Sequence, residues 1–265
     1  FNPVLRMEAG HYDSNITPAG RPIYVPIKIE YMVSVPPIFN ILPTFLKNIL
    51  IYGNINAPPV KIHLSVIEKP DWLDVSITCP DIYINIRENE ISCANTSISI
   101  AAYSNAPAYP SIVVIGAESQ PIGRISNQSV AISLIVHPTY LPLLHIEVDR
   151  SLKYATSNDK VRFLINITNK ANKESAILIR SFELPEDWHA SLSDYMIILP
   201  MNESATITLD VYTSANFKKG DVGEIRLNFT VLPSPPPPDS EATAANTYHL
   251  TLFVVNPIMV NPTTD

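Results

Sequence analysis

The sequence predicts an all-β protein that contains two tandem antiparallel β-sandwich domains. Three observations lead to this prediction. Apolar and polar residues alternate with period two in many short segments, clusters of Pro, Asn, Asp and Ser separate those segments, and the same order of segments occurs twice. Period-two alternation is typical of strands with one buried face, and regularly spaced turn residues are typical of sandwiches. The chain also holds 25 prolines against 7 glycines, which disfavours long helices.

The clearest predicted strand covers 25–35. Its odd-numbered residues are apolar and most residues between them are polar, so one face is expected to be buried. The apolar set is Val25, Ile27, Ile29, Tyr31, Val33 and Val35. Shorter strands are predicted at 60–67, 97–102, 110–115, 130–136, 161–167, 176–183, 205–212, 224–231 and 247–255. Residues 38–50 form the only segment in which we expect a short helix.

An internal repeat divides the chain. The only two tryptophans, Trp72 and Trp188, lie in matching phrases at 67–75 and 182–190. Downstream, the Asn-x-Ser/Thr sequon at Asn95 matches the one at Asn202, and each copy closes on a similar strand. Repetition in the same order indicates a duplicated domain. We therefore expect sandwiches at 21–138 and 139–257, preceded by an N-terminal extension at 1–20 and followed by a C-terminal tail at 258–265.

Composition argues against two classes of partner. Charged residues make up 16% of the chain, the net charge is −7, and there is no run of Lys or Arg, so nucleic acid is not expected to bind. The most apolar segment, 38–52, is too short to cross a membrane and is interrupted by Pro43 and Lys47. The sequence therefore predicts no direct membrane span.

Several signals indicate export. The sequence begins at Phe1 and not at Met, as a processed chain does. Six sequons, none with Pro at the middle position, predict N-linked glycans. They lie at Asn15, Asn95, Asn127, Asn166, Asn202 and Asn228. We therefore expect an extracellular or cell-surface glycoprotein.

Cys79 and Cys93 are the only cysteines. In an exported chain an even pair predicts one disulfide, and two buried free thiols are the alternative. The bridge would close a loop of about fifteen residues and stabilise the fold by roughly 3 kcal/mol. It would also hold together the segment in which the first copy is longer than the second.

The second copy, from about 146 to 255, resembles a known type of module. The motifs that carry the resemblance are 163–169, the Leu-Pro-Glu-Asp-Trp phrase at 184–188, 199–204 and Gly-Asp-Val-Gly-Glu-Ile at 220–225. With them the chain is similar to immunoglobulin-like modules of the NEW3 and CARDB type, and the first copy matches more loosely. The resemblance implies an immunoglobulin-like fold from an exported archaeal or bacterial surface protein, in which such modules are spacers, adhesive modules or appendages of enzymes. It implies no catalytic residue.

Residues able to carry chemistry are thinly spread. The six histidines show no metal-binding spacing, and neither a nucleophile elbow nor a phosphate loop is present. The acidic group Glu183, Glu186 and Asp187 fits a solvated turn better than a calcium site. We therefore expect no enzyme activity, no metal and no cofactor. Trp72 and Trp188 fall at equivalent places in the repeat, which predicts a shared packing role.

The leading functional hypothesis is a non-enzymatic structural protein of the cell surface. It would be a subunit of an extracellular filament, such as a thread or pilus, or of a surface layer. In donor-strand assembly, a strand of one subunit completes the sheet of the next, so the chain would associate with itself into a polymer. Strand 25–35 is one candidate donor, although it can equally pair within its own domain. Segment 1–10 is the other, with Pro3, Arg6 and Glu8 unfavourable in a strand.

A second hypothesis is a monomeric adhesin or carbohydrate-binding accessory module. Tyrosines are more numerous than tryptophans, 12 against 2, and an exposed aromatic platform is the feature that such a module requires. Tyr103, Tyr109 and Tyr140, in Pro-rich surroundings, are the candidate residues.

Overall fold

A computed structural model describes residues 1–235 and 246–258, and of residues 180–182 only the backbone. The chain divides into two compact units, unit 1 at Phe1–Thr139 and unit 2 at Tyr140–Asp265. Each unit is an immunoglobulin-like β-sandwich around its own apolar core. This confirms the predicted fold class.

Unit 1 contains nine strands in two sheets. The four-stranded sheet has the order β1-β3-β7-β5, and the five-stranded sheet has the order β2-β9-β8-β4-β6. Neighbouring strands are antiparallel except β2, which runs parallel to β9. The strands are β1 (Asn2–Ala9), β2 (Asn15–Ile16), β3 (Ile23–Ser34), β4 (Val60–Glu68), β5 (Leu73–Ile77), β6 (Asp81–Ile84), β7 (Ser92–Ala102), β8 (Ser111–Ser119) and β9 (Ser129–Pro138).

The described residues of unit 2, 140–235 and 246–258, also form nine strands. Its four-stranded sheet has the order β10-β12-β16-β14, and its five-stranded sheet has the order β11-β18-β17-β13-β15. The strands are β10 (Leu144–Val148), β11 (Leu152–Tyr154), β12 (Lys160–Asn169), β13 (Ser175–Glu183), β14 (His189–Leu192), β15 (Met196–Leu199), β16 (Ser204–Tyr212), β17 (Val222–Pro233) and β18 (Thr247–Val255).

The two units match strand for strand. In chain order, β1 corresponds to β10, β2 to β11, and so on to β9 and β18. Corresponding strands have corresponding neighbours in each sheet. The short parallel pair recurs, as β2 with β9 and β11 with β18. Even a register shift recurs, between Val66 and Glu68 in β4 and between Ile179 and Ser181 in β13. This confirms the duplication inferred from the repeated phrases.

The connection after the third strand distinguishes the units. In unit 2, residues 170–174 join β12 to β13, whereas in unit 1 a 3-10 turn, Pro37–Ile41, and a helix, α1 (Thr44–Tyr52), lie between β3 and β4. Gly53 caps the C-terminus of α1 with a left-handed φ of 70°, and its N–H donates to the Ile49 carbonyl at 3.0 Å. The short helix expected at 38–50 is therefore present.

The N-terminal boundary differs from the expected one. Residues 1–20 do not form a separate extension, because β1 pairs along β3 and β2 pairs with β9 within unit 1. The alternation in this segment is short and follows Pro3, which explains why the strand pattern first becomes clear at residue 25. Of the expected tail at 258–265, only Ile258 lies within the described residues.

Candidate assembly site

The strand 25–35, considered as a donor, lies in the interior of unit 1. Each of its six apolar side chains, at Val25, Ile27, Ile29, Tyr31, Val33 and Val35, is at most 4% exposed. β3 pairs with β1 along one edge and with β7 along the other. Both of its backbone edges are therefore occupied by its own unit. In this structure the strand 25–35 therefore pairs within its own unit, which is one of the two possibilities that the sequence leaves open.

The neighbouring edge strand is β1. It pairs with β3 alone, and the pairing extends over the whole of residues 2–9. Leu5 and Met7 bury their side chains in the core of unit 1, at 8% and 5% exposure. Pro3 is tolerated because an edge strand makes ladder hydrogen bonds on one side only. Segment 1–10, in which Pro3, Arg6 and Glu8 were expected to disfavour a strand, therefore contains the edge strand of this sheet.

Charged side chains cover the outward face of β1. Arg6 lies opposite Glu30, and Glu8 lies opposite Lys28. Lys28 Nζ and Glu30 Oε1 are 2.7 Å apart, and this hydrogen bond raises the pKa of Lys28 and lowers the pKa of Glu30. A slip of two residues would place Arg6 opposite Lys28, where like charges repel. The charge pattern therefore specifies the register of β1 on β3.

Contacts at both ends hold β1 in place. The ring of Phe1 packs edge-on against Phe39, with 5.1 Å between the centroids. At the other end, residues 10–14 lead to β2, and the Tyr12 hydroxyl in this link bonds both the N–H and the carbonyl of Ile135 in β9. The link is thus anchored to one sheet while β1 belongs to the other.

The two cysteines are free thiols, and both are exposed. Cys79 follows Thr78, whose N–H donates to the Ser97 carbonyl at 3.0 Å. Ser97 and Cys93 are four residues apart on β7, about 13 Å in an extended strand. A disulfide needs Cα atoms within about 7 Å of each other. The predicted bridge is therefore absent from this fold, because the ladder places Cys79 several positions away from Cys93.

The six sequon asparagines differ in exposure. Asn15, Asn95, Asn127 and Asn202 are exposed, whereas Asn166 and Asn228 are half-buried. Asn228 Oδ1 lies 2.6 Å from His249 Nδ1 on the neighbouring strand β18. Glycosylation itself stays a prediction from the sequence.

The two tryptophans do not occupy equivalent places. In the turn before β5, the backbone N–H of Leu73 donates to the Pro70 carbonyl. In the turn before β14, the backbone N–H of Trp188 donates to the Pro185 carbonyl. Trp188 thus corresponds to Leu73, which is fully buried, while Trp72 is half-buried at the edge of the core. The predicted equivalence is wrong by one residue, because two residues separate Pro185 from Trp188 and only one separates Pro70 from Trp72. Both tryptophans do pack against a core.

The three tyrosines considered for adhesion do not share one environment. Tyr103 and Tyr109 are exposed in unit 1. Tyr140 belongs to unit 2 and is half-buried, with its hydroxyl 2.8 Å from the Ser175 hydroxyl. Burial raises the pKa of Tyr140. Tyr140 is therefore a packing residue.

A shallow cleft in unit 2 gathers polar side chains around a different tyrosine, Tyr212. Lys160 Nζ lies 5.5 Å from the centre of its ring and 2.7 Å from Asp210 Oδ2. A half-exposed ring bordered by carboxylate, amide and imidazole groups suits a polyhydroxylated ligand. The other residues that line the cleft are Asn158, Asp187, His189, Thr213, Ser214, Ala215 and Asn216.

Within residues 1–235 and 246–258, no group of three or more His, Cys, Asp and Glu side chains is arranged to hold a metal ion. The acidic group considered for calcium, Glu183, Glu186 and Asp187, is exposed at the turn before β14. No helix in the same ranges has the length and apolar character that crossing a membrane requires.

No family model matches the chain, and no curated protein does. The resemblance to NEW3 and CARDB modules therefore rests on the quoted motifs alone. Solved structures match at low similarity. A protein of unknown function from Porphyromonas gingivalis W83 aligns over 95% of this chain and 99% of its own, at 10% identity and a TM-score of 0.33.

Two further matched structures are a chaperone and a chaperone–pilin complex. The Escherichia coli chaperone DraB aligns over 86% of this chain and 91% of its own, at 11% identity and a TM-score of 0.27. The Salmonella enterica SafA pilin in complex with the SafB chaperone aligns over 94% of this chain and 96% of the matched chain, at 10% identity and a TM-score of 0.28. At this similarity the likeness carries no argument about function.

Proposed function

We propose that the chain is a non-enzymatic structural subunit of an extracellular filament, and that copies join by exchanging β1. One observation carries the proposal: β1 is a complete edge strand, paired with β3 alone and joined to the rest of unit 1 by the five-residue link 10–14. The sequons and the weakly charged composition support the extracellular location.

Strand exchange costs little when the same contacts form within a chain and between chains. The ladder from residue 2 to residue 9, the insertion of Leu5 and Met7 and the Arg6 to Glu30 pairing would all be recreated on the β3 of a neighbour. Only the link changes conformation. Because one copy then gives a strand to a second and receives one from a third, the contact continues along a filament.

A designed disulfide tests the proposal. Arg6 and Glu30 are cross-strand partners, and such partners have Cα atoms about 4.5–5.5 Å apart, within the reach of a disulfide. In a Cys79→Ser, Cys93→Ser background, Arg6→Cys with Glu30→Cys is allowed to assemble and is then oxidised. Exchanged strands give a covalent ladder on a non-reducing denaturing gel and regular fibres by electron microscopy.

A matched control uses an interior pair of the same sheet. Tyr24 and Ser99 are partners on β3 and β7, so Tyr24→Cys with Ser99→Cys must cross-link within one chain under all conditions. If the Arg6 and Glu30 pair also gives only cross-linked monomers from assembled material, strand exchange is refuted. Fibres that form without a covalent ladder refute β1 as the joint while leaving assembly intact.

The cleft around Tyr212 favours a second function, a carbohydrate-binding module. Its ring is 41% exposed and is bordered by Asp187 and His189. Binding to an array of immobilised oligosaccharides is the test, with Tyr212→Ala expected to weaken binding by about tenfold, as the loss of one stacked ring does. Tyr195→Ala is the control, because Tyr195 is also exposed and lies outside the cleft. Equal losses for both variants would contradict this function.

A further inference from the structure

The helical connection in unit 1 exposes a large apolar surface. We name it the α1 face and define it by seven side chains that are between 37% and 83% exposed. They are Ile38, Ile41, Phe45, Leu46, Ile49, Leu50 and Ile55. Unit 2 has only residues 170–174 at the corresponding place. The connection is therefore not needed to complete the sandwich.

Helix α1 carries apolar side chains both in its buried last turn and on its exposed part. Ile51 and Tyr52 are buried against unit 1, whereas Phe45, Leu46, Ile49 and Leu50 are exposed. Helices that are apolar all round belong in an interior. The outward side of α1 is thus built for burial and has no cover in the described part of unit 1.

The base of the α1 face is firmly fixed. The Arg124 N–H donates to the Ile51 carbonyl at 2.9 Å. A Cβ at Gly123 would lie 2.4 Å from the same carbonyl oxygen, so the loop packs directly on the end of the helix. Lys47 Nζ is 2.7 Å from Glu88 Oε2, which ties the start of α1 to the sandwich. The face is therefore presented on a rigid support.

Charge and area identify the occupant. Segment 37–59 contains no acidic residue, and its one basic residue, Lys47, is paired with Glu88. A chain with a net charge of −7 is repelled by its own copies over most of its surface, but not here. The exposed fractions amount to about four complete side chains, on the order of 600 Å². Two such faces give roughly 1,200 Å², the lower end for a stable specific interface.

We propose that the α1 face binds the α1 face of a second copy, in a two-fold symmetric dimer. Phe45 with Ile49, and Leu46 with Leu50, form rows at i and i+4 along the helix. Rows of this kind interlock with the same rows of a second helix. A two-fold contact uses the same patch on both copies and closes, so it does not extend a chain of subunits. The dimer is separate from strand exchange at β1.

The test uses the chain locked against strand exchange, with Arg6→Cys and Glu30→Cys oxidised in the Cys79→Ser, Cys93→Ser background. Sedimentation velocity over a range of concentrations is expected to show a monomer–dimer equilibrium. Leu46→Glu is expected to weaken the dimer by at least about tenfold, since it buries an unpaired charge at the interface. Ile198→Glu is the control, because Ile198 is 53% exposed in unit 2. It is expected to leave the dissociation constant unchanged.

Charge complementation distinguishes a specific dimer from non-specific hydrophobic association. Leu46→Glu and Leu46→Lys chains are each expected to be monomeric, and their mixture is expected to form heterodimers across the two-fold axis. Circular dichroism checks that both variants keep the fold. A locked chain that stays monomeric at its highest soluble concentration overturns the proposal.

Two other outcomes also overturn it. One is a dimer that Leu46→Glu does not weaken. The other is a monomer that sediments with phosphatidylcholine vesicles through the α1 face, which would identify a lipid surface as the occupant. Filaments are scored separately, with the unlocked chain, so either proposal can fail without the other.

Discussion

Trp188 packs so closely on Gly223 that a Cβ at residue 223 would lie 2.3 Å from its Cη2 atom. The indole cannot move away, because Phe217 packs edge-on against it with 4.9 Å between the centroids. Gly223→Ala therefore overpacks the core of unit 2. We expect the free energy of unfolding of unit 2 to fall by about 2 kcal/mol, measured by denaturant titration.

The same pair provides its own control. Leu73 fills the corresponding core position in unit 1, so Trp188→Leu makes room with a residue that the fold already accepts. Gly223→Ala should lower the free energy of unfolding of unit 2 only slightly when Trp188→Leu is present. If the loss of unfolding free energy in the double variant equals the sum of the losses in the two single variants, the two residues are not in steric conflict.

Tyr52 should make unit 1 sensitive to alkaline pH. Burial raises its pKa from 10.0 to about 12, and the negative charge of Glu88 adds to the shift. A folded-state pKa above the unfolded value means that the stabilisation is complete below pH 10 and is lost as the pH rises toward 12. We expect the melting temperature of unit 1 to fall over this range, and to fall less in Tyr52→Phe.

The hydroxyl of Tyr52 is buried and has no hydrogen-bond partner among the described residues. At neutral pH, Tyr52→Phe should therefore stabilise unit 1 by about 1 kcal/mol. Tyr24→Phe, at a tyrosine that is 63% exposed, is the comparison and should change neither value. A large loss of stability in Tyr52→Phe would mean that the hydroxyl has a partner.

Asp210 should make unit 2 sensitive to acid. Hydrogen bonds from Arg162 and then from Lys160 hold the pKa of this carboxyl well below its ordinary value. A lowered folded-state pKa contributes stability that is present above about pH 4 and is lost as the pH falls below it. Asp210→Asn should weaken unit 2 at neutral pH and flatten its acid transition. Asp194→Asn is the control. If Asp210→Asn alters the acid transition no more than this control does, Asp210 is not the source of the acid sensitivity.

Both thiols should react without prior reduction. Cys79 and Cys93 are free and exposed, so maleimide labelling of the folded, unreduced protein should add two labels by intact mass. Replacing both with Ser should leave the free energy of unfolding within about 0.5 kcal/mol. If labelling occurs only after reduction, and the double Ser variant loses roughly 3 kcal/mol of unfolding free energy, the two cysteines form a disulfide.

Glycan occupancy should follow exposure. In protein from native cells, peptide mapping by mass spectrometry should find modification at Asn15, Asn95, Asn127 and Asn202. Asn228 should be the least occupied, because its side chain is half-buried and lies 2.6 Å from His249 Nδ1. A chain whose intact mass equals that of the bare polypeptide would contradict glycosylation altogether.

Long strands could be predicted from sequence and short edge strands could not. In β3, alternation continues through residues 25–35, and the buried face follows directly. β2 has two residues and β11 has three, which is too few for any period to be visible. In β1, only Leu5 and Met7 are buried, so its edge position became visible only through its pairing with β3.

The sites depended on contacts that sequence spacing does not encode. The extra residue before Trp188, Glu186, shifts its indole by one place relative to Trp72, and only the turn hydrogen bonds reveal the shift. The cleft around Tyr212 combines Asn158, Asp187 and Asn216 from three separate segments. The apolar residues of α1 were visible in the sequence, but their exposure was not.

The strand-for-strand match of the two units creates a hazard while the chain is being synthesised and folded. Pairing between like domains is a characteristic error of repeated folds, and β1 could dock on β12 as well as on β3. Following the matched ladders, Asn166 and Thr168 occupy the places that Lys28 and Glu30 hold on β3. A misdocked β1 would leave Glu8 and Arg6 without opposite charges. The charges of Arg6 and Glu8 thus favour pairing of β1 with β3 over pairing with β12.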